Sequence, residues 1–167
     1  MTDQRSIVVM GVSGAGKTTV GERLAAALGV EYADGDDFHP AENVAKMSAG
    51  VPLDDADRWP WLDAVGAWLA ERPGRGVASC SALKREYRDR LRAAAPTAFF
   101  VDLEVPYDEL KRRMSARTGH FMRARMLDSQ LAIRQPLAPG EPGITVEGAR
   151  PVPDVVKQIL AELNSPE

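Results

Sequence analysis

A single cysteine, Cys80, among 167 residues excludes an internal disulfide and any cysteine-based zinc cluster. Cysteine this sparse suits a reducing, cytoplasmic setting. No apolar run approaches membrane-spanning length, and the first residues lack the apolar core of a signal peptide, so neither a spanning helix nor a secretory leader is expected. Positive charge is not in excess: the formal net charge is −3, so there is no general basic field for nucleic acid. There is no internal repeat, and nothing of low complexity beyond short alanine-rich patches. What remains is an ordinary globular composition, 44% apolar and 27% charged, at a length that fits one domain with a real core.

Within that plain background one segment stands out. Gly11, Val12, Ser13, Gly14, Ala15, Gly16, Lys17 and Thr18 satisfy the phosphate-loop pattern G-x-x-x-x-G-K-[ST] at every fixed position. Ile7 to Met10 reads as a buried strand entering it. Val20, Leu24, Ala27 and Leu28 fall at helical spacing after it, and Gly29 stops the run. Strand, loop and helix are the context in which glycines can turn backbone N–H groups onto phosphate oxygens. Lys17 would reach the β- and γ-phosphates, and the Thr18 hydroxyl would hold Mg²⁺.

Strand-like and helix-like segments then alternate to the end. Short strands are expected at Tyr32–Asp34, Val77–Cys80, Ala98–Leu103 and Gly143–Glu147. Helices are expected at Ala41–Ala49, around Trp61 to Leu69, around Tyr87 to Ala94, after Pro106, and from Val152 to Leu163. Such alternation predicts a three-layer α/β/α protein with a parallel sheet. The C-terminal ends of its strands share one edge. The phosphate loop, Asp34 with Asp36, and Ser81 to Lys84 should therefore meet in one crevice.

Asp34-Gly35-Asp36-Asp37 supplies two carboxylates at i and i+2. One can serve a metal's water shell while the other orients a hydroxyl and accepts its proton; alone, the same letters describe a solvated turn. Lys84 and Arg88 lie one helical turn apart, either gripping an anionic substrate or forming a solvated basic face. Arg112, Arg113, Arg117, Arg123 and Arg125 cluster around Gly119-His120, as a cationic lid or as cations at helix C-termini. Trp59, Trp61 and Trp68 read as core, Cys80 as a small buried residue, and His39 and His120 as isolated histidines.

Taken together these motifs resemble the gluconokinase family of small phosphate-loop kinases. The resemblance is carried by Met10-Gly11-Val12-Ser13-Gly14, Asp34-Gly35-Asp36, His39-Pro40, Asn43, Lys46-Met47, Asp57-Arg58, Pro60-Trp61-Leu62, Cys80-Ser81-Ala82-Leu83-Lys84, Tyr87-Arg88, Gly119-His120-Phe121 and Ser129-Gln130. It implies a nucleoside-monophosphate-kinase-like fold, with a five-stranded parallel core sheet and a lid at about 112–135 in one kinase domain spanning 1–167. It implies ATP and Mg²⁺, phosphorylation of D-gluconate at its 6-hydroxyl on the way to the pentose phosphate pathway, and a cytoplasmic homodimer. Under this resemblance Gly11 to Thr19 hold the triphosphate, with Thr18 and Asp34 serving the metal. Asp36 takes the hydroxyl's proton, and Lys17 and Arg117 stabilise the transferring group. Arg113 lies against adenine, and Arg58, Lys84, Arg88 and His120 bind gluconate. One departure is visible: Ile133-Arg134-Gln135-Pro136 stands where the family has a Leu-Glu-x-Pro-like stretch, which bears on lid packing or nucleotide-edge contacts.

Four other readings are weaker, one of them a nucleotide-binding regulator without turnover, which the paired aspartates and the arginine cluster disfavour. A shikimate kinase-like protein would share the paired aspartates, but no Gly-Gly-Gly follows the third strand. A nucleotide kinase would carry more arginines at its acceptor site. A GTPase-like switch would use Asp63-Ala64-Val65-Gly66, but these lie in a Trp-rich helical segment and no Asn-Lys-x-Asp motif is present.

Overall fold

The computed structural model describes residues 5–115 and 120–164. Five parallel strands form one sheet: β1 (Ile7–Met10), β2 (Glu31–Asp34), β3 (Gly76–Ser79), β4 (Phe99–Glu104) and β5 (Gly143–Glu147), in the order β2-β3-β1-β4-β5. The helices are α1 (Lys17–Leu28), α2 (Ala41–Ser48), α3 (Asp55–Ala70), α4 (Arg85–Ala94), α5 (Tyr107–Ser115), α6 (His120–Ile133) and α7 (Val152–Leu163). Every strand expected from the sequence is present, within one residue at each end.

β1 is central and buries every side chain, so its period-2 alternation feeds two cores. Ile7 and Val9 pack with Val20 and Leu24 of α1 and Val155 and Ile159 of α7. Val8 and Met10 pack with Leu62, Val65 and Leu69 of α3, Leu91 of α4 and Leu127 of α6. Helices thus cover both faces, which makes the three-layer α/β/α arrangement. Among the described residues no helix is long and apolar enough to cross a membrane.

Two helices differ from the expectation. α3 starts at Asp55, earlier than the Trp61 face suggests. A reciprocal capping box between Asp54 and Asp57 starts it. Pro60 then lies inside, leaving the Ala56 carbonyl without its helical partner. α6 is a separate helix that the apolar spacing does not single out. Leu127 turns into the core while Gln130 turns to the phosphate loop, so no clean apolar stripe marks it.

Strand order reverses at β1, whose neighbours β3 and β4 lie on opposite sides. A crevice opens at such a point, beyond the carboxyl ends of the strands. The loops after β1, β2 and β3 all reach it.

Candidate active site

The loop between β1 and α1 has left-handed backbone at Gly14 (φ 86°) and Gly16 (φ 96°), where a side chain would be strained. The Ala15 N–H closes the loop on the Val12 carbonyl at 3.1 Å, just before α1 begins. Ser13 N–H donates to Gln130 Oε1 at 2.6 Å, so the loop already presents an N–H to an oxygen acceptor. Lys17 Nζ donates to the carbonyls of Gly11 (2.9 Å) and Val12 (3.0 Å), which holds its ammonium against the loop. Burial lowers the Lys17 pKa, opposed by Asp36, Cys80 and Asp34.

β2 delivers the acidic pair. Asp34 Oδ1 accepts the Asp36 backbone N–H at 2.9 Å and caps the short 3-10 turn Gly35–Phe38. Its other oxygen accepts from Thr18 Oγ1 at 3.5 Å, joining the two residues expected at the metal. Ser79 Oγ, itself 2.7 Å from the Tyr32 hydroxyl, donates to Asp34 Oδ1 at 3.5 Å. The Asp36 carboxyl projects into the crevice.

Gly35 packs so tightly on β3 that a Cβ would collide with the Ser79 carbonyl oxygen. Gly35→Ala is therefore expected to cost about 2 kcal/mol or more in urea unfolding and to move Asp36. An unchanged denaturation midpoint with unchanged kcat would contradict this.

A cavity of about 290 Å³ lies between these groups. Its polar lining is Ser13, Lys17, Asp36, His39, Arg58, Ser81 and Gln130, against Met47, Leu53, Trp61, Leu83 and Met126. The three sequence-distant clusters do share one crevice. Trp61 is both core and wall: its Nε1–H donates to Gly35 O at 2.7 Å. Arg58 is held by Tyr87, whose hydroxyl accepts from Arg58 Nη1 at 2.8 Å and donates to Asp55. Lys84 is engaged with Asp55 at 3.2 Å and does not line the cavity. A second cavity of about 410 Å³ runs along Gly14 to Val20 to Gly148, Val152 and Arg113. Arg113 donates to the carbonyls of Gly14 (2.8 Å) and Gly148 (2.9 Å) and pairs with Glu109.

Arg88 departs from expectation. Its side chain is 0% exposed, and it forms a two-pronged ion pair with Glu141 at 2.8 and 3.0 Å. It also donates to the carbonyls of Ala82 (2.9 Å) and Pro136 (3.2 Å). A guanidinium so occupied is not a gluconate ligand. It braces the loop after β3, where Ala82 sits at φ 42° and presents Ser81 to the cavity. Helical spacing pairs Lys84 with Arg88 but does not say which face packs inward.

Burial raises the Glu141 pKa, but hydrogen bonds from Arg88 and the Ala138 N–H outweigh this and hold it at about 2, below the ordinary 4.5. A depressed carboxylate stabilises the fold above its unfolded pKa, and that share is lost as pH falls from about 4.5 towards 2. Glu141→Gln is expected to cost about 3–5 kcal/mol at neutral pH and to flatten the acid limb of Tm against pH. Equal acid sensitivity in both proteins would refute this role.

The Ile133–Pro136 departure is structural too. Arg134 pairs at 2.7 Å with Asp102, a buried acid within β4. Gln135 Oε1 caps α4 by accepting the Arg85 N–H at 2.8 Å. Asp102 and Glu141 carry no local sequence signal, because their partners lie far along the chain. Arg117 and Gly119 lie outside the described residues. So do the side chains of His120, Phe121, Arg123 and Arg125, although His120 begins α6.

Phosphate loop, paired aspartates and a separate polar cavity beside them on a parallel sheet define a phosphate-loop kinase. A family model described as an AAA domain matches residues 7–131. The chain is 49% identical over 159 residues to a gluconokinase of Gluconobacter oxydans, covering 93% of this chain and 89% of that protein. It is 40% identical to the thermosensitive gluconokinase of Escherichia coli, covering 92% and 84%. A crystal structure of a gluconokinase from Sinorhizobium meliloti superposes with a TM-score of 0.90 at 48% identity, covering 98% and 93%. The chain belongs to the gluconokinase family.

Proposed function

We propose that this protein transfers the γ-phosphoryl group of ATP to the 6-hydroxyl of D-gluconate, giving 6-phospho-D-gluconate and ADP. The observation that carries this reading is the acceptor cavity, bounded by Lys17 on the donor side, Asp36 at its mouth and Arg58 within it. Its polar lining suits hydroxyls, its cation suits a carboxylate, and its apolar wall suits the carbon chain.

Gly11 to Thr19 would hold the triphosphate. Thr18, and Asp34 through water, fit a magnesium ion, which supplies charge neutralisation on the phosphates when bound. Asp36 orients the acceptor hydroxyl and takes its proton late, because the transition state is loose. Lys17 and Arg117 stabilise charge on the group in flight. Arg113, on the wall of the second cavity, suits the adenine side. Arg58 takes the gluconate carboxylate, held in place by Tyr87 and Asp55, with His120 as a further contact. The region 112–135 acts as a lid over a single kinase domain. A cytoplasmic homodimer belongs to the same reading, and light scattering tests the dimer.

The direct experiment is ADP release with ATP and Mg²⁺ across D-gluconate, related sugar acids, shikimate and nucleoside monophosphates. Gluconate should give the largest kcat/KM, and a stronger signal elsewhere would overturn the assignment. The switch reading is disfavoured by Asp63, which sits within α3 and pairs with Arg90 at 2.6 Å.

A further inference from the structure

His39 lines the same cavity as Asp36 and Arg58. Its ring stacks on Trp61, with centroids 4.3 Å apart and planes 15° apart. Two contacts decide which ring nitrogen carries the proton. The Asn43 amide nitrogen donates to the Asp57 backbone carbonyl at 2.8 Å, and a carbonyl can only accept. The same nitrogen lies 3.1 Å from His39 Nδ1. An amide nitrogen offers only hydrogens, so Nδ1 accepts and the ring proton resides on Nε2. Nε2 is the atom that faces Asp36, 3.9 Å from Oδ1. Burial, helped by Arg58, pushes the His39 pKa down to about 4, so the ring is neutral near pH 7. With Nδ1 engaged and Nε2 protonated, His39 has no free lone pair. It is a donor and not a base.

We propose that His39 is the positioning residue for Asp36: its Nε2–H closes onto Oδ1 and turns the other carboxylate oxygen to the acceptor hydroxyl. This rests on the reading of Asp36 as the group that takes the hydroxyl's proton. At 3.9 Å the pair is not yet hydrogen-bonded, and a rotation of about 1 Å closes the gap. The Asp36 side chain is 78% exposed while that of His39 is 3% exposed, so the acid moves and the ring stays. Trp61 coordinates the two. Its Nε1–H holds the Gly35 carbonyl, next to Asp36, and its ring carries His39. Among the described residues no side chain hydrogen-bonds the Asp36 carboxylate; Lys17 acts on it through charge, and the residue's own anchor is the backbone N–H held by Asp34.

Three variants test this. His39→Phe keeps a ring on Trp61 and removes the N–H, and His39→Gln returns an N–H donor. The phenylalanine variant should lower kcat roughly tenfold or more and leave KM for ATP within about twofold, with glutamine recovering much of the loss. The chain has two histidines, so ¹⁵N imidazole spectra carry two pairs of ring-nitrogen signals, and His39→Gln shows which pair is His39. In the wild type the His39 signal should report the Nε2–H form, and its proton should move downfield on adding D-gluconate. That reading is taken on the wild type, and the glutamine variant serves only to assign it. Unchanged kcat in His39→Phe, equal losses in both His39 variants, or an Nδ1–H signal would overturn the proposal. Asp36→Asn separates the two claims. If it abolishes turnover while His39→Phe does not, only the His39 role falls. If it keeps turnover, the Asp36 reading fails and this one with it.

Discussion

Lys17→Ala is expected to lower kcat by about three orders of magnitude, the scale at which a single well-placed cation acts in phosphoryl transfer. Lys17 lines both cavities, the one beside Arg58 and the one along the phosphate loop. Its ammonium is pinned by the carbonyls of Gly11 and Val12, at 2.9 and 3.0 Å. The charge is therefore pre-positioned and needs little reorganisation as the phosphoryl group moves across. Burial lowers its pKa, but Asp36 and Asp34 oppose this and favour the charged form. Steady-state rates of ADP release, with nucleotide binding measured separately by calorimetry, check the result. A variant that keeps near wild-type kcat would remove the nucleotide assignment.

Asp36→Asn should cut kcat by about 10²- to 10⁴-fold, the usual range for losing a general base. The substitution changes little else. The turn is held by the Asp36 backbone N–H to Asp34 Oδ1 and by Trp61 to the Gly35 carbonyl, neither of which involves the Asp36 side chain. KM for ATP should stay within a few-fold, because Thr18 and Asp34 remain joined on the nucleotide side. The split between kcat and KM is the decisive readout. A fall in ATP affinity with kcat intact would make Asp36 a metal or nucleotide residue instead.

How far the site could be read in advance depended on how local its geometry is. Gly11 to Thr18 and Asp34 to Asp36 are each set by neighbours a few residues away. Glycine conformations, a strand end and a cap are all visible in sequence. Arg88 was not readable in the same way. Its turn-spaced partner Lys84 suggested a basic grip, but its ion-pair partner Glu141 lies 53 residues on, and only packing brought them together. Arg134 with Asp102 and Gln135 with the N-terminus of α4 repeat the pattern, at separations of 32 and 50 residues. Here the unusual stretch after α6 serves the frame of the site.

The sequence by itself determined the fold class, the phosphate loop, the acidic pair and, through resemblance, the family. These follow from periodicity and short-range spacing, which the chain carries in its letters. Only the tertiary structure decided which cations face the cavity and which lie beneath it. It also decided that Trp61 is a wall as well as core, and that His39 faces Asp36 with its Nε2. The physical reason is burial. A charged or polar side chain takes its role from the partner that satisfies it once water is removed, and that partner is chosen by the fold.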